Sequence, residues 1–172
     1  YALRAPSASL DADLFEAGLR RGRAELASGQ AGQAAVTLAT ALALWRGPAL
    51  LDVSDAPFAQ PEIARLEELR LKAVEERIDA DLACGRHAAL VPELEALVAE
   101  HPLRERLRGQ LMLALYRTGR QGEALAVYRG VRRVMQDELG LEPMRALSEL
   151  ERSILQQDPA LTAKVLRVVN SS

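Results

Sequence analysis

Apolar residues recur along this chain at spacings of three and four, with polar positions between them, and the recurrence restarts after each Gly or Pro break. That period is helical. Phe15, Leu19, Gly22 and Leu26 form the first stripe, and Asp13 followed by Glu16 reads as a capping box at its start. Ser28-Gly29 ends it, and a second stripe runs through Ala34, Leu38, Ala41 and Trp45. The small residues Gly18, Gly22, Ala34 and Ala41 predict that these two helices approach closely. Arg46-Gly47-Pro48 closes the second helix as a fixed structural corner, with Trp45 spaced as a buried core residue and Arg46 as a bridge between domains. The stretch through Asp52, Asp55, Pro57 and Pro61 has no period and reads as a structured loop.

A long third helix is predicted from Ile63 to Cys84, with Leu71, Val74, Ile78 and Leu82 on its buried stripe and Glu68 and Lys72 spaced to pair outside. After Gly85 a fourth helix carries Leu90, Leu94 and Leu97 and closes at His101-Pro102. A fifth places Leu103, Leu107, Leu111 and Leu115 in line, and a sixth buries Ala124, Tyr128, Val131 and Met135 before Leu139-Gly140. Pro143 suits the first turn of a seventh helix through Leu147, Leu150 and Ile154. The expected organisation is an extended lead-in over 1–10, a helical domain over 11–157 and a tail or linker over 158–172. Tyr1-Ala2-Leu3-Arg4 reads as a closing strand with no partner strand in this chain.

The turns at Gly85 and Gly119 are 34 residues apart, the period of tetratricopeptide units. Shifting the chain by that period lays Ile78 on Met112, Ala80 on Ala114 and Leu94 on Tyr128. The turn at Gly29 fits the same frame without the period, setting Gly32 against Gly122 and Ala34 against Ala124. The expected fold class is therefore all-α: stacked antiparallel helical hairpins, tetratricopeptide-like, of about seven helices. The consensus is incomplete, because its first-helix Trp and Gly are replaced by Arg108 and Met112.

Composition narrows the function. With 22 basic and 24 acidic residues the net charge is -2, so the chain as a whole has no attraction for phosphate and is not a free-standing nucleic-acid binder. Cys84 is the single cysteine, which excludes an intrachain disulfide. With no apolar run long enough for a membrane span and no secretory pattern, the expected location is cytoplasmic. Cys84 and His87 could begin a metal site, but a second Cys or His pair is missing, and Cys84 reads instead as a small buried residue. Glu67-Glu68 and Glu75-Glu76 read as a solvated face rather than an acid/base pair. No catalytic, metal or cofactor site is expected. Local charge does depart from the average: Arg104, Arg106, Arg108, Arg117, Arg120, Arg129, Arg132 and Arg133 face only Glu105 and Glu123. Except for Arg106, these arginines are the candidate partner-binding residues, the plain alternative being a solvated helical surface.

Five ordered motifs carry a resemblance. The run from Ala41 through Trp45-Arg46-Gly47-Pro48, then Arg65-Leu-Glu-Glu-Leu-Arg, Cys84-Gly-Arg-His, His101-Pro-Leu-Arg-Glu-Arg-Leu-Arg and Glu138-Leu-Gly-Leu-Glu-Pro are similar to the bacterial transcriptional activation domain of the Streptomyces antibiotic regulatory protein family. The resemblance covers about residues 11 to 157. It implies that residues 1–10 end a preceding winged helix-turn-helix domain that binds promoter DNA. It implies further that this domain assists homodimer formation and contacts RNA polymerase holoenzyme, and that larger members carry an ATPase domain afterwards. The competing reading is a tetratricopeptide-like scaffold that binds peptides and has no link to transcription.

Overall fold

The computed structural model describes residues 7–45, 59–157 and 161. Among them are seven helices and no strand: α1 (Ser7–Ala27), α2 (Ala31–Leu42), α3 (Gln60–Ala83), α4 (His87–Glu100), α5 (Glu105–Arg117), α6 (Gln121–Leu139) and α7 (Arg145–Leu155). They fall into two units, Tyr1–Cys84 and Gly85–Ser172. The all-α, tetratricopeptide-like class is as the periodicity predicts.

The three glycine turns read from the sequence share a left-handed backbone, with Gly85 at φ +80° beside Gly29 and Gly119. At the end of α1, Gly29 lies at φ +81°, its N–H donates to Leu26 O at 3.1 Å, and Gln30 N–H reaches back to Glu25 O at 2.9 Å. At the end of α5, Gly119 lies at φ +80°, its N–H donates to Tyr116 O at 3.0 Å, and Arg120 N–H reaches Leu115 O at 2.9 Å. Both are Schellman turns, which satisfy the last carbonyls of a helix and need a left-handed residue that only glycine adopts without a Cβ penalty.

In the first unit α1 packs on α2 through missing side chains. A Cβ on Gly22 would stand 2.5 Å from Leu38 Cγ, and one on Gly18 would stand 2.8 Å from Ala41 Cβ. Phe15, Leu19, Leu38, Ala41 and Ala73 form the core there, and Ala34, Ala35 and Ala80 form a second cluster beside it. Ala73 and Ala80, seven residues apart on α3, keep that face small. Arg23 Nε forks onto Glu76 at 2.7 and 2.9 Å, and Arg65 Nη2 reaches Glu16 at 2.8 Å, so two ion pairs tie α1 to α3. Glu68 and Lys72 stand 3.8 Å apart, as their spacing predicts.

The second unit is built around α5. Every residue from Leu107 to Leu115 is buried, so α5 is covered on all sides, whereas α6 buries only Ala124, Tyr128, Val131 and Met135. Arg108 Nε and Nη2 both donate to Pro102 O, at 3.0 and 2.8 Å, and so pin the α4–α5 turn to α5. Tyr128 Oη and Ser148 Oγ, 3.1 Å apart, join α6 to α7.

Several expectations need correction. Helix α1 already begins at Ser7, so Asp13 and Glu16 lie inside it and form no capping box, and residues 7–10 are helical rather than extended. Helix α3 begins at Gln60, with Pro61 in its first turn, where the missing N–H costs nothing. Pro143 lies ahead of the α7 N-cap Met144 rather than inside the helix. Leu103 precedes α5 and is exposed. Leu71 and Val74 are half-buried, and Leu66 and Ala73 take the buried positions instead. Glu75, expected in solvent, is 1% exposed. Cys84, expected to be buried, is exposed at the α3 C-cap.

Candidate interaction surface

The arginine-rich stretch separates into two groups once the helices are placed. On α6 the four buried residues recur on one stripe, which turns Arg129, Arg132 and Arg133 outward. Arg132 Nε lies 3.3 Å from Glu142 Oε2, and both remain more than half exposed. Arg129 and Arg133 make no ion pair among the described residues. Three guanidiniums at positions i, i+3 and i+4 thus share one solvent-facing side of a helix.

The other arginines have internal work. Arg108 is 9% exposed and held by Pro102, and burial pulls its pKa below the usual guanidinium range. Arg120 forks onto Glu123 at 2.8 and 2.6 Å and lies 4.0 Å from Glu95 of α4, and the Glu123 bond pushes its pKa up. Arg104 is the half-buried N-cap of α5. Arg117 is half-buried at the end of α5 and donates from Nη1 to His87 Nε2 at 3.3 Å. A guanidinium can only donate, so His87 accepts there as a neutral ring with its proton on Nδ1. Burial, then the Arg117 charge, hold its pKa below the usual histidine value.

Of the proposed corner, Trp45 alone lies within the described residues; Arg46, Gly47 and Pro48 lie outside them. Trp45 follows the end of α2 and is half-buried, edge-on to Phe15 at 5.4 Å between ring centroids, with the Arg70 guanidinium 4.9 Å from its ring centre. It closes the first core by an aromatic edge contact and a cation–π contact. Its role is packing at that edge, and Arg70, which the periodicity did not single out, shares it.

Comparison with known proteins decides the family, since the bacterial transcriptional activator domain matches residues 10–155. The chain belongs to that family. The Regulatory protein AfsR of Streptomyces coelicolor is 57% identical over 124 residues, which is 72% of this chain and 12% of the relative. The Regulatory protein DnrI of Streptomyces peucetius is 41% identical over 161 residues, 94% of this chain and 59% of the relative. Among solved structures, Mycobacterium tuberculosis EmbR in complex with a low affinity phosphopeptide superposes with a TM-score of 0.86 at 38% identity, over 92% of this chain and 42% of that one. The resemblance to the Streptomyces antibiotic regulatory protein family is thereby borne out, and the chain is a domain of transcriptional regulators. It spans between 12% and 59% of the length of these relatives.

Proposed function

We propose that this domain is the interaction module of a transcriptional activator: it assists dimerisation and recruits RNA polymerase holoenzyme, while a winged helix-turn-helix elsewhere in the activator reads promoter DNA. Family membership supplies the link to transcription, because a helical hairpin fold by itself serves many functions. The observation that carries the recruiting role is the outward row of Arg129, Arg132 and Arg133 on α6, in a chain whose net charge is only -2. Such a face steers an acidic protein surface toward one side of the molecule. Of Arg104, Arg108, Arg117 and Arg120, also proposed as partner-binding from the sequence, Arg108 holds the turn at Pro102 and Arg120 bridges to Glu123 and Glu95 on the surface.

A pull-down of bacterial RNA polymerase holoenzyme by the chain tests this reading. The wild type retains the enzyme, and a folded variant carrying Arg129→Glu, Arg132→Glu and Arg133→Glu releases it. Retention by both moves the contact off α6, and retention by neither removes polymerase from the proposal.

A further inference from the structure

Arg108 holds a guanidinium beneath the surface with part of its bonding capacity unused. The residue is 9% exposed, and its Nε and Nη2 are both taken up by the Pro102 carbonyl. Nη1 makes no hydrogen bond among the described residues. Glu105, one turn earlier, attracts the charge, but its Oε2 accepts from Met144 N–H at 2.7 Å, and burial outweighs that attraction in setting the Arg108 pKa. A buried cation compensated only in part gains from a further anion.

An approach to Nη1 lies open through α6. Helices α5 and α6 form a hairpin about Gly119, which brings Gly130 opposite Arg108. A Cβ on Gly130 would lie 3.9 Å from Arg108 Nη1, and nothing else from outside α6 lies within 4 Å of it. Gly130 is itself exposed, so the missing side chain leaves a gap above the guanidinium. Arg129 adjoins that gap and Arg133 stands one turn on, both facing solvent. Two turns from Gly130 in either direction the charge changes sign, at Glu123, which Arg120 holds, and at exposed Asp137. A basic stretch bounded in this way suits one acidic side chain better than a nucleic-acid backbone, which carries a charge every few ångströms.

We propose that Gly130 marks a carboxylate-binding subsite, in which one Asp or Glu side chain of the acidic partner passes Arg129 and Arg133 and bonds to Arg108 Nη1. The inference rests on the polymerase-recruiting reading and names the chemistry by which that partner is held. The exposed arginines attract the partner at range and are screened by salt, whereas Arg108, fixed by Pro102, supplies an oriented charge-assisted bond.

Two measurements test it. The first needs no partner: Gly130→Asp places a carboxylate one bond beyond a Cβ that is 3.9 Å from Nη1, within reach of a bond of about 2.7–2.9 Å. Followed by NMR in a background of Arg129→Gln and Arg133→Gln, the introduced carboxylate titrates well below the ordinary aspartate value of about 3.9. An ordinary value overturns the subsite. The second is equilibrium binding of RNA polymerase holoenzyme. Gly130→Leu covers Nη1, leaves the exposed arginines in place and weakens binding about tenfold or more. Ala126→Leu, one turn earlier on the same face, changes it little. Both positions are exposed and leucine is a good helix former, so both chains keep wild-type helicity. Wild-type affinity in the Gly130→Leu chain, or equal losses from the two leucines, overturns the proposal, as does duplex DNA binding that Gly130→Leu weakens in place of holoenzyme binding. If Gly130→Leu binds as the wild type does while the Arg129→Glu, Arg132→Glu, Arg133→Glu variant does not bind, the subsite fails and the recruiting role stands. If the wild type itself does not bind, the recruiting role fails and the titration decides the subsite.

Discussion

Gly22→Ala places a methyl group 2.5 Å from Leu38 Cγ and 2.6 Å from Leu38 Cδ2. Leu38 is fully buried, so the clash is relieved only by forcing it off its rotamer or by moving α2 away from α1. Overpacking of this kind costs about 1–3 kcal/mol, against which Gly to Ala in a helix interior returns up to about 1 kcal/mol of propensity. The first unit is therefore expected to lose up to about 2 kcal/mol. Gly130 is the control, because a Cβ there meets only Arg108 Nη1 at 3.9 Å, an ordinary contact. Only the propensity gain remains, so Gly130→Ala stabilises the second unit by up to about 1 kcal/mol. Urea denaturation followed by far-UV circular dichroism reads both: the midpoint falls for Gly22→Ala and rises for Gly130→Ala. A Gly22→Ala chain at least as stable as the wild type would refute the claim that α1 and α2 pack through an absent side chain.

The other predictions concern the second unit. His87 has a folded-state pKa below its unfolded value, so the unfolded chain binds the proton more readily. Stability is then full above about pH 6.5, the ordinary histidine value, and is lost as the pH falls through the window beneath it. Denaturation midpoints at neutral and mildly acidic pH check this, and His87→Gln removes that part of the slope. Arg108→Ala strips two hydrogen bonds from Pro102 O and lowers stability by about 2 kcal/mol, the range for a bond from a charged donor. Arg120→Ala, which breaks only solvent-exposed pairs, leaves the denaturation midpoint almost unchanged.

Periodicity was a good guide wherever a helix has one wet side. The α6 stripe of Ala124, Tyr128, Val131 and Met135 and the α7 stripe of Leu147, Leu150 and Ile154 are both buried as read. On α3 it placed Ile78 and Leu82 correctly but took Leu71 and Val74 for Leu66 and Ala73, and it did not foresee that Glu75, Asp79 and Asp81 are buried along with the aliphatic residues, because polar residues on a buried face break the apolar stripe. The α1 boundary was missed for a related reason: Asp13 and Glu16 mimic a cap, but local side-chain spacing cannot tell a first turn from a second. The arginine cluster was legible as composition, yet its division was not. Arg108 and Arg129 look alike in the sequence, but Arg108 lies on the covered helix α5 with the Pro102 carbonyl as its acceptor, and Arg129 lies on the exposed side of α6.

The central claim, that α6 presents a basic face to polymerase, is tested most directly by equilibrium binding of RNA polymerase holoenzyme to the labelled chain across a salt series. The account predicts saturable binding by the wild type that weakens as salt rises, with little or none by the folded Arg129→Glu, Arg132→Glu, Arg133→Glu variant. Equal affinity and equal salt dependence for the two chains would contradict it.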